Sequence, residues 1–269
     1  MRRSIVYGNL PCGVVVSESA QDKLTEVVAL AHWGISARNA GQTAAIRALT
    51  NDKPFLFLTG PAGTGKTLIT QAVGLSRVED HDFRKLVYTR LQTQLGADVG
   101  ALPGTIDEKT YPFVRPFLDN LDIMTTQKRS LLEQYTKGDE DRRKVFFDPI
   151  QTLRGGTFHN AFVIVDETQN LDTHTQLGVG TRLGTGTKFV FCGNFAQIDN
   201  DKLRTPKSNG FYRLLKGLYE AGEEAAPYFD HVNLTEVERH PAVALVERIL
   251  RSNEVAPEFE TLEARGNVK

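Results

Sequence analysis

Cysteine is nearly absent. Cys12 and Cys192 are the two in 269 residues, too few and too isolated for a disulfide framework, which suits a reducing compartment. Cys192 ends an apolar run and reads as a small core residue. No apolar stretch approaches the roughly 20 residues needed to span a bilayer. The basic start Met1-Arg2-Arg3-Ser4 is not followed by an apolar signal region. Neither sign of charge prevails: 32 Lys and Arg stand against 33 Asp and Glu, a net charge of −1. No global basic field therefore advertises a polyanion, and a nucleic-acid surface has to be a local patch. There is no internal repeat and no low-complexity tract. What remains, 40% hydrophobic and 24% charged, is ordinary globular composition. The expectation is a cytoplasmic protein with no membrane partner, built as one large domain or one domain with appendages.

The most informative stretch is Gly60-Pro61-Ala62-Gly63-Thr64-Gly65-Lys66-Thr67, which fits G-x-x-x-x-G-K-S/T in full. Its surroundings agree. Pro54 to Leu58 is a short, continuous apolar run, as a strand buried on both faces should be. Leu68 to Val73 reads as the start of a helix. Glycines let backbone N–H groups wrap an anion, and the helix N-terminus adds a favourable dipole. These eight residues are the expected ATP site, with Lys66 on the β- and γ-phosphates and Thr67 on Mg²⁺.

Further strands are expected at Leu86–Thr89, Phe162–Val165 and Phe189–Cys192, with helical patterns between them. That alternation argues an α/β fold: a parallel sheet with helices on both faces. Residues 1–38 read as an N-terminal extension, with a strand near 13–16 and a helix near 19–33. A helix near 41–50 opens the main domain, 39–255, and 256–269 reads as a tail. Helix faces are expected at 211–219 and 243–250. The stretch 91–157, rich in proline, reads as an insertion with a helix near 121–136 and a short strand at 144–147. Insertions at the carboxyl ends of parallel strands commonly carry function.

Each predicted strand ends in polar residues, at the edge where open α/β sheets place ligands. Asp166 follows four apolar residues, as a Mg²⁺-holding carboxylate does. Its alternative is an N-cap. Glu167, next in line, can deprotonate an attacking water, which suits a hydrolase better than a kinase. Asp166-Glu167-Thr168-Gln169 is a DExQ box, and Gln197 lies just past the Gly193-Asn194 strand end. An amide there can bond a γ-phosphate and sense its loss. Gln42 is either an adenine reader or an exposed helix residue.

With these residues in place, the chain resembles the PhoH family of ATPases, themselves similar to the first motor domain of superfamily 1 helicases. The landmarks are Gly60–Thr67, Leu102-Pro103-Gly104 with Asp107-Glu108-Lys109, and Pro112-Phe113-Val114-Arg115-Pro116. They continue with Leu153 to Phe158, Asp166 to Asn170, Gly193 to Asp199, and Arg239-His240-Pro241. The resemblance implies a RecA-like P-loop NTPase fold, a cytoplasmic ATP-binding protein linked to phosphate starvation, and RNA or DNA involvement. The expectation is a compact version, without the added nuclease domain of some relatives or the leading domain of many. Two departures stand out. Asn194 replaces the family's Asp, dropping a charge near the phosphates. Gly156 replaces its Arg, removing a cation from a ligand-facing loop.

Candidate nucleic-acid contacts are Thr89, Arg90, Lys109, Arg115 and Arg154, which can grip phosphates, with Tyr111 and Phe113 as stacking faces. The plainer alternative is solvated charges and locally packed rings. Three functions compete: a helicase-like ATPase on RNA or single-stranded DNA, a nucleotide-dependent switch, and a small-molecule P-loop kinase. Only about 70 residues follow Gln197, too few for a second motor domain. A homo-oligomer is therefore expected, a hexameric ring with Arg239, or else Arg182, supplied in trans.

Overall fold

The computed structural model describes residues 32–91, 106–124, 136, 143–153, 156–238, 242, 245, 249 and 256–268, with backbone alone at 106–112 and 152. The expected strand at 13–16, most of the helix at 19–33 and most of the one at 243–250 lie outside the described residues.

In chain order the elements are α1 (Ala40–Thr50), β1 (Phe55–Thr59), α2 (Lys66–Glu79), β2 (Lys85–Arg90), α3 (Ile106–Met124), β3 (Val145–Phe147), β4 (Ala161–Asp166), α4 (Thr173–Gly180), β5 (Lys188–Cys192), α5 (Gly210–Glu220), β6 (Phe229–Asn233) and α6 (Pro257–Ala264). The strands form one sheet in the order β3-β2-β4-β5-β1-β6. All five pairings are parallel. Parallel strands need crossovers, and helices on both faces supply them.

Strand periodicity divides the core in two. Leu56, Leu58, Leu86, Tyr88, Phe162 and Ile164 face α1, α2 and α3. Phe57, Val87, Val163, Val165, Phe189 and Phe191 face α4, α5 and α6. This is why the strands read as unbroken apolar runs: both faces are covered.

The insertion holds a helix at Ile106–Met124 that contains both Pro112 and Pro116. Of the expected helix near 121–136, residues 121–124 belong to this one, Thr136 is helical, and 125–135 lie outside the described residues. Each interior proline costs about 3 kcal/mol. Phe113, Phe117 and Leu121, at intervals of four, are all buried. At about 1.5–3 kcal/mol for each side chain, their burial offsets that cost. The supposed tail contains α6, whose Phe259 stacks on Phe195 with centroids 4.8 Å apart and meets Tyr212 at 5.0 Å. Strand β6 has no apolar run, yet it pairs with β1 along its whole length. Among the described residues no helix is long and apolar enough to cross a membrane.

Strand β6 gets its cohesion from a polar relay. The Thr59 hydroxyl donates to Asn233 Oδ1 at 3.0 Å, so toward His231 Nε2, at 2.8 Å, it accepts. Nε2 therefore carries the ring proton, and Nδ1 accepts from Tyr219 at 3.0 Å. Burial pushes His231 down to about 3 from an ordinary 6.5. The folded state keeps this ring neutral while the unfolded chain takes a proton below 6.5. Stability from this residue is complete above pH 6.5 and is lost as pH falls toward 3. We expect it to cost about 2 kcal/mol between pH 7 and pH 5. Urea midpoints at the two pH values check this, and His231→Gln should remove that part of the pH dependence.

Candidate nucleotide-binding site

The site forms where β1, β4 and β5 end. The turn after β1 is left-handed at Gly60, Gly63 and Gly65, with φ of 123°, 81° and 88°. A Cβ on Gly60 would collide with the Leu234 carbonyl oxygen, just past β6. Glycine is thus required there by conformation and by space. Helix α2 begins at Lys66 and aims its free N–H groups into the turn. The Lys66 ammonium donates to the carbonyls of Gly60 at 2.7 Å and Pro61 at 2.8 Å. Burial lowers its basicity, and Glu167 and Asp166 act in the opposite sense. Thr64 is buried, while Pro61, Ala62 and Gly63 are half-exposed along the loop.

Thr67 reaches across β5 to the end of β4, where its hydroxyl donates to Asp166 Oδ1 at 2.9 Å. The Tyr88 hydroxyl donates to Asp166 Oδ2 at 2.8 Å. Asp166 is 5% exposed. The Thr67 and Asp166 oxygens are hard donors of the kind Mg²⁺ accepts, and phosphate and water oxygens complete such a shell. The residues fit that cation. The alternative role for Asp166, an N-cap, is not what its oxygens do.

Glu167 adopts φ 52°, ψ 38°, a left-handed conformation costly for a residue with a side chain. Burial and the neighbouring Asp166 raise its carboxyl above the usual range, and a bond from Gln169 works against them. Gln169 is itself fully buried. Its amide nitrogen donates to Glu167 Oε2 at 2.6 Å and to the Gln197 carbonyl at 3.0 Å. Its amide oxygen accepts from the Asn194 N–H at 3.0 Å. Gln169 is therefore a brace among three site residues, with no atom left for a phosphate. Asn194 caps the turn 195–197 by accepting from Ala196 N–H, a task aspartate also performs. Gln197 is exposed at the rim.

The loop from Ala62 to Thr67, with Asp166, Glu167, Asn194 and Gln197, bounds a cleft of about 460 Å³. Its remaining walls come from Gly34–Ser36 and Arg38, from Asn120 and Ile123 of α3, and from Glu238. Gln42 is 4% exposed, so its reading as an exposed helix residue falls. Its Oε1 accepts from Arg38 N–H at 2.8 Å and its Nε2 donates to the Thr64 carbonyl at 3.1 Å, tying α1 to the loop. The Glu238 N–H donates to the Gly63 carbonyl at 2.9 Å. Arg239 and Arg154 lie outside the described residues, as do the side chains of Lys109 and Tyr111. Arg182 donates to the carbonyls of Gly178 and Gly156.

The proposed phosphate grip is scattered. Thr89 is fully buried and so is not an open contact. Phe113 is 3% exposed and packs on Tyr88, so it offers no stacking face. Arg115 is open to solvent, 3.8 Å from Asp119. Arg90 lies inward instead. Burial works to lower its basicity, but Tyr88, Asp166 and Glu167 outweigh it. Sequence reasoning missed Tyr88, Asn120 and Glu238. Tyr88 reads as one more apolar strand residue, and nothing in the pattern marks the other two.

A P-loop on a six-stranded parallel sheet, facing an Asp-Glu pair at the end of the strand next but one, defines a P-loop NTPase with a RecA-like α/β fold. The chain belongs to the PhoH family: the family described as PhoH-like protein matches residues 34–251. Protein PhoH2 of Bacillus subtilis is 38% identical over 178 residues, covering 64% of this chain and 39% of that protein. Protein PhoH2 of Mycolicibacterium smegmatis is 33% identical over 228 residues, covering 84% and 49%. The chain thus spans about half the length, or less, of these relatives. Among solved structures, Pif1 helicase from Candida albicans overlaps with a TM-score of 0.41 at 17% identity, covering 86% of this chain and 47% of that one. Bacteroides Pif1 bound to ssDNA gives 0.40 at 15%, covering 84% and 49%. These overlaps are loose, and nothing about activity follows from them.

The glycine geometry yields a paired expectation. Gly60→Ala should destabilise the protein by at least about 3 kcal/mol, through both φ and collision. Gly178→Ala, in α4 with nothing within 4 Å of its Cβ, should gain about 0.5–1 kcal/mol. Thermal unfolding of the two variants beside the parent checks the contrast.

Proposed function

We propose that this domain binds Mg²⁺-ATP and hydrolyses it, driving a helicase-like motor on RNA or single-stranded DNA. The observation that carries the reading is the Thr67–Asp166 bond of 2.9 Å beneath the glycine loop, with Glu167 beside it. That arrangement supports phosphate binding, cation binding and water activation in one cleft.

In this reading the loop amides of residues 60–67 wrap the phosphates and Lys66 neutralises the β- and γ-oxygens. Thr67 and Asp166 hold Mg²⁺, which when bound polarises the phosphate oxygens. Glu167 takes a proton from the attacking water, kept in reach by Gln169. Gln197, at the rim, donates to the γ-phosphate. Gln42 keeps one amide hydrogen beyond its bond to Thr64 and so can donate to adenine.

RNA or DNA involvement is carried from the family resemblance, and Lys109, Arg115 and Arg154 are candidate phosphate contacts by residue type and loop position. The ring of identical subunits with Arg239 in trans rests on the value of a transition-state arginine, while the cytoplasmic location and the link to phosphate starvation are carried from the resemblance. A nucleotide-dependent switch would use the same site chemistry without unwinding anything, and a strand-displacement assay separates the two.

Lys66→Ala should abolish tight ATP binding. Glu167→Gln should keep binding and lower turnover by roughly 10²–10⁴-fold, the usual contribution of general-base catalysis. Equilibrium binding and phosphate release, with and without RNA or single-stranded DNA at low and moderate salt, check both. Full turnover in Glu167→Gln would remove it as the base. Nucleic-acid stimulation that fades steeply with salt is expected from phosphate contacts. No stimulation at any salt would leave the switch.

A further inference from the structure

Asp166 is held from two sides, and one holder has no part in the reaction outlined above. Tyr88 is fully buried on β2, with its hydroxyl 2.8 Å from Asp166 Oδ2. The ring has little freedom. Phe117 meets it edge-on with centroids 5.4 Å apart, Phe113 at 5.9 Å, and Phe147 edge-on at 6.3 Å. Phe113 and Phe117 belong to α3, in the insertion between β2 and β3. The same helix grips α2 one turn beyond Thr67: Gln71 donates to the Phe117 carbonyl at 3.0 Å, and Asn120 donates to Gln71 at 3.1 Å. Asn120 and Ile123 then reach the cleft wall.

We propose that Tyr88 is a positioning residue of the nucleotide site, which fixes the plane of the Asp166 carboxylate for Mg²⁺ and is itself clamped by α3. The proposal rests on the Mg²⁺-nucleotide reading of the site. With Oδ1 engaged by Thr67 and Oδ2 by Tyr88, the carboxylate has no free rotation about its last torsion. Remove the Tyr88 hydroxyl and Oδ2 loses its partner inside a site that is 95% shielded from water by the fold around Asp166. The carboxylate can then turn away from the orientation in which Oδ1 meets Thr67.

The test is binding of a fluorescent non-hydrolysable ATP analogue to the full chain, titrated with Mg²⁺ and repeated in EDTA. Tyr88→Phe keeps the caged ring and removes one oxygen. It should raise the Mg²⁺ concentration for half-maximal binding by roughly 10–100-fold, the usual cost of losing a partner that orients a metal ligand. Binding in EDTA should not change. Phe117→Leu keeps the hydroxyl and loosens the cage, and should shift the midpoint in the same sense by less. An unmoved Mg²⁺ midpoint in Tyr88→Phe overturns the proposal alone. An equal loss with Mg²⁺ and with EDTA also overturns it, leaving Tyr88 as packing. A parent chain with no Mg²⁺-dependent nucleotide binding overturns both this proposal and the reading beneath it.

Discussion

A carboxylate that is 5% exposed has to be satisfied where it sits, and much of this site follows from how Asp166 is satisfied. Its oxygens accept from Thr67 and Tyr88. The first bond ties β4 to the start of α2, and so to the glycine loop. The second ties β4 to β2, and through the rings of Phe113 and Phe117 to α3. Two hydroxyls thus join three secondary-structure elements around one charge. Neither donor carries a charge of its own; the cations that act on Asp166 are Lys66 and Arg90.

Beside that hub runs a second network with a different purpose. Gln169 links the Glu167 carboxylate, the Gln197 carbonyl and the Asn194 N–H. Asn170 reaches Asp199 with both its amide groups, at 2.7 and 2.9 Å. Asn209 fixes the Gln169 carbonyl from the start of α5. The turns after β4 and β5 are therefore one cross-linked unit. Such a unit can hold Glu167 in a left-handed conformation that local energetics disfavour. The Gln197 backbone at the rim and the Glu167 carboxylate are joined through a single side chain, that of Gln169.

The two networks share a sheet edge because every pairing is parallel. Reversing one strand would carry its polar end to the far side of the domain. The aromatic layer beneath supports that edge. Phe57, Phe189, Phe191, Phe195, Phe211 and Phe259 pack in a chain of ring contacts from β1 to α6. Rings stacked at about 5–6 Å give the platform little room to shift. The site residues stand on strand ends and short turns fixed by this platform.

The strands β1, β2, β4 and β5 and the glycine loop were legible in the sequence for one physical reason. Each is a local pattern: an apolar run of strand length, a loop whose glycines are needed for their φ, a helix after it. Lys66, Thr67, Asp166 and Glu167 could be named because they sit at fixed offsets from those patterns. The strand β6, the course of α3 through two prolines and the helix in the supposed tail were decided by tertiary contacts. Asp230 and His231 are unlike strand residues until Lys53, Thr59 and Tyr219 stand opposite them. Pro112 and Pro116 break helices until a buried face outweighs them. Tyr88 belongs with these. Its place in the sequence marks it as core, and only the pairing of β2 with β4 brings its hydroxyl to Asp166, 78 residues away. Local sequence fixes which residues can do chemistry; which of them meet is set by register and by burial, which no short stretch of chain contains.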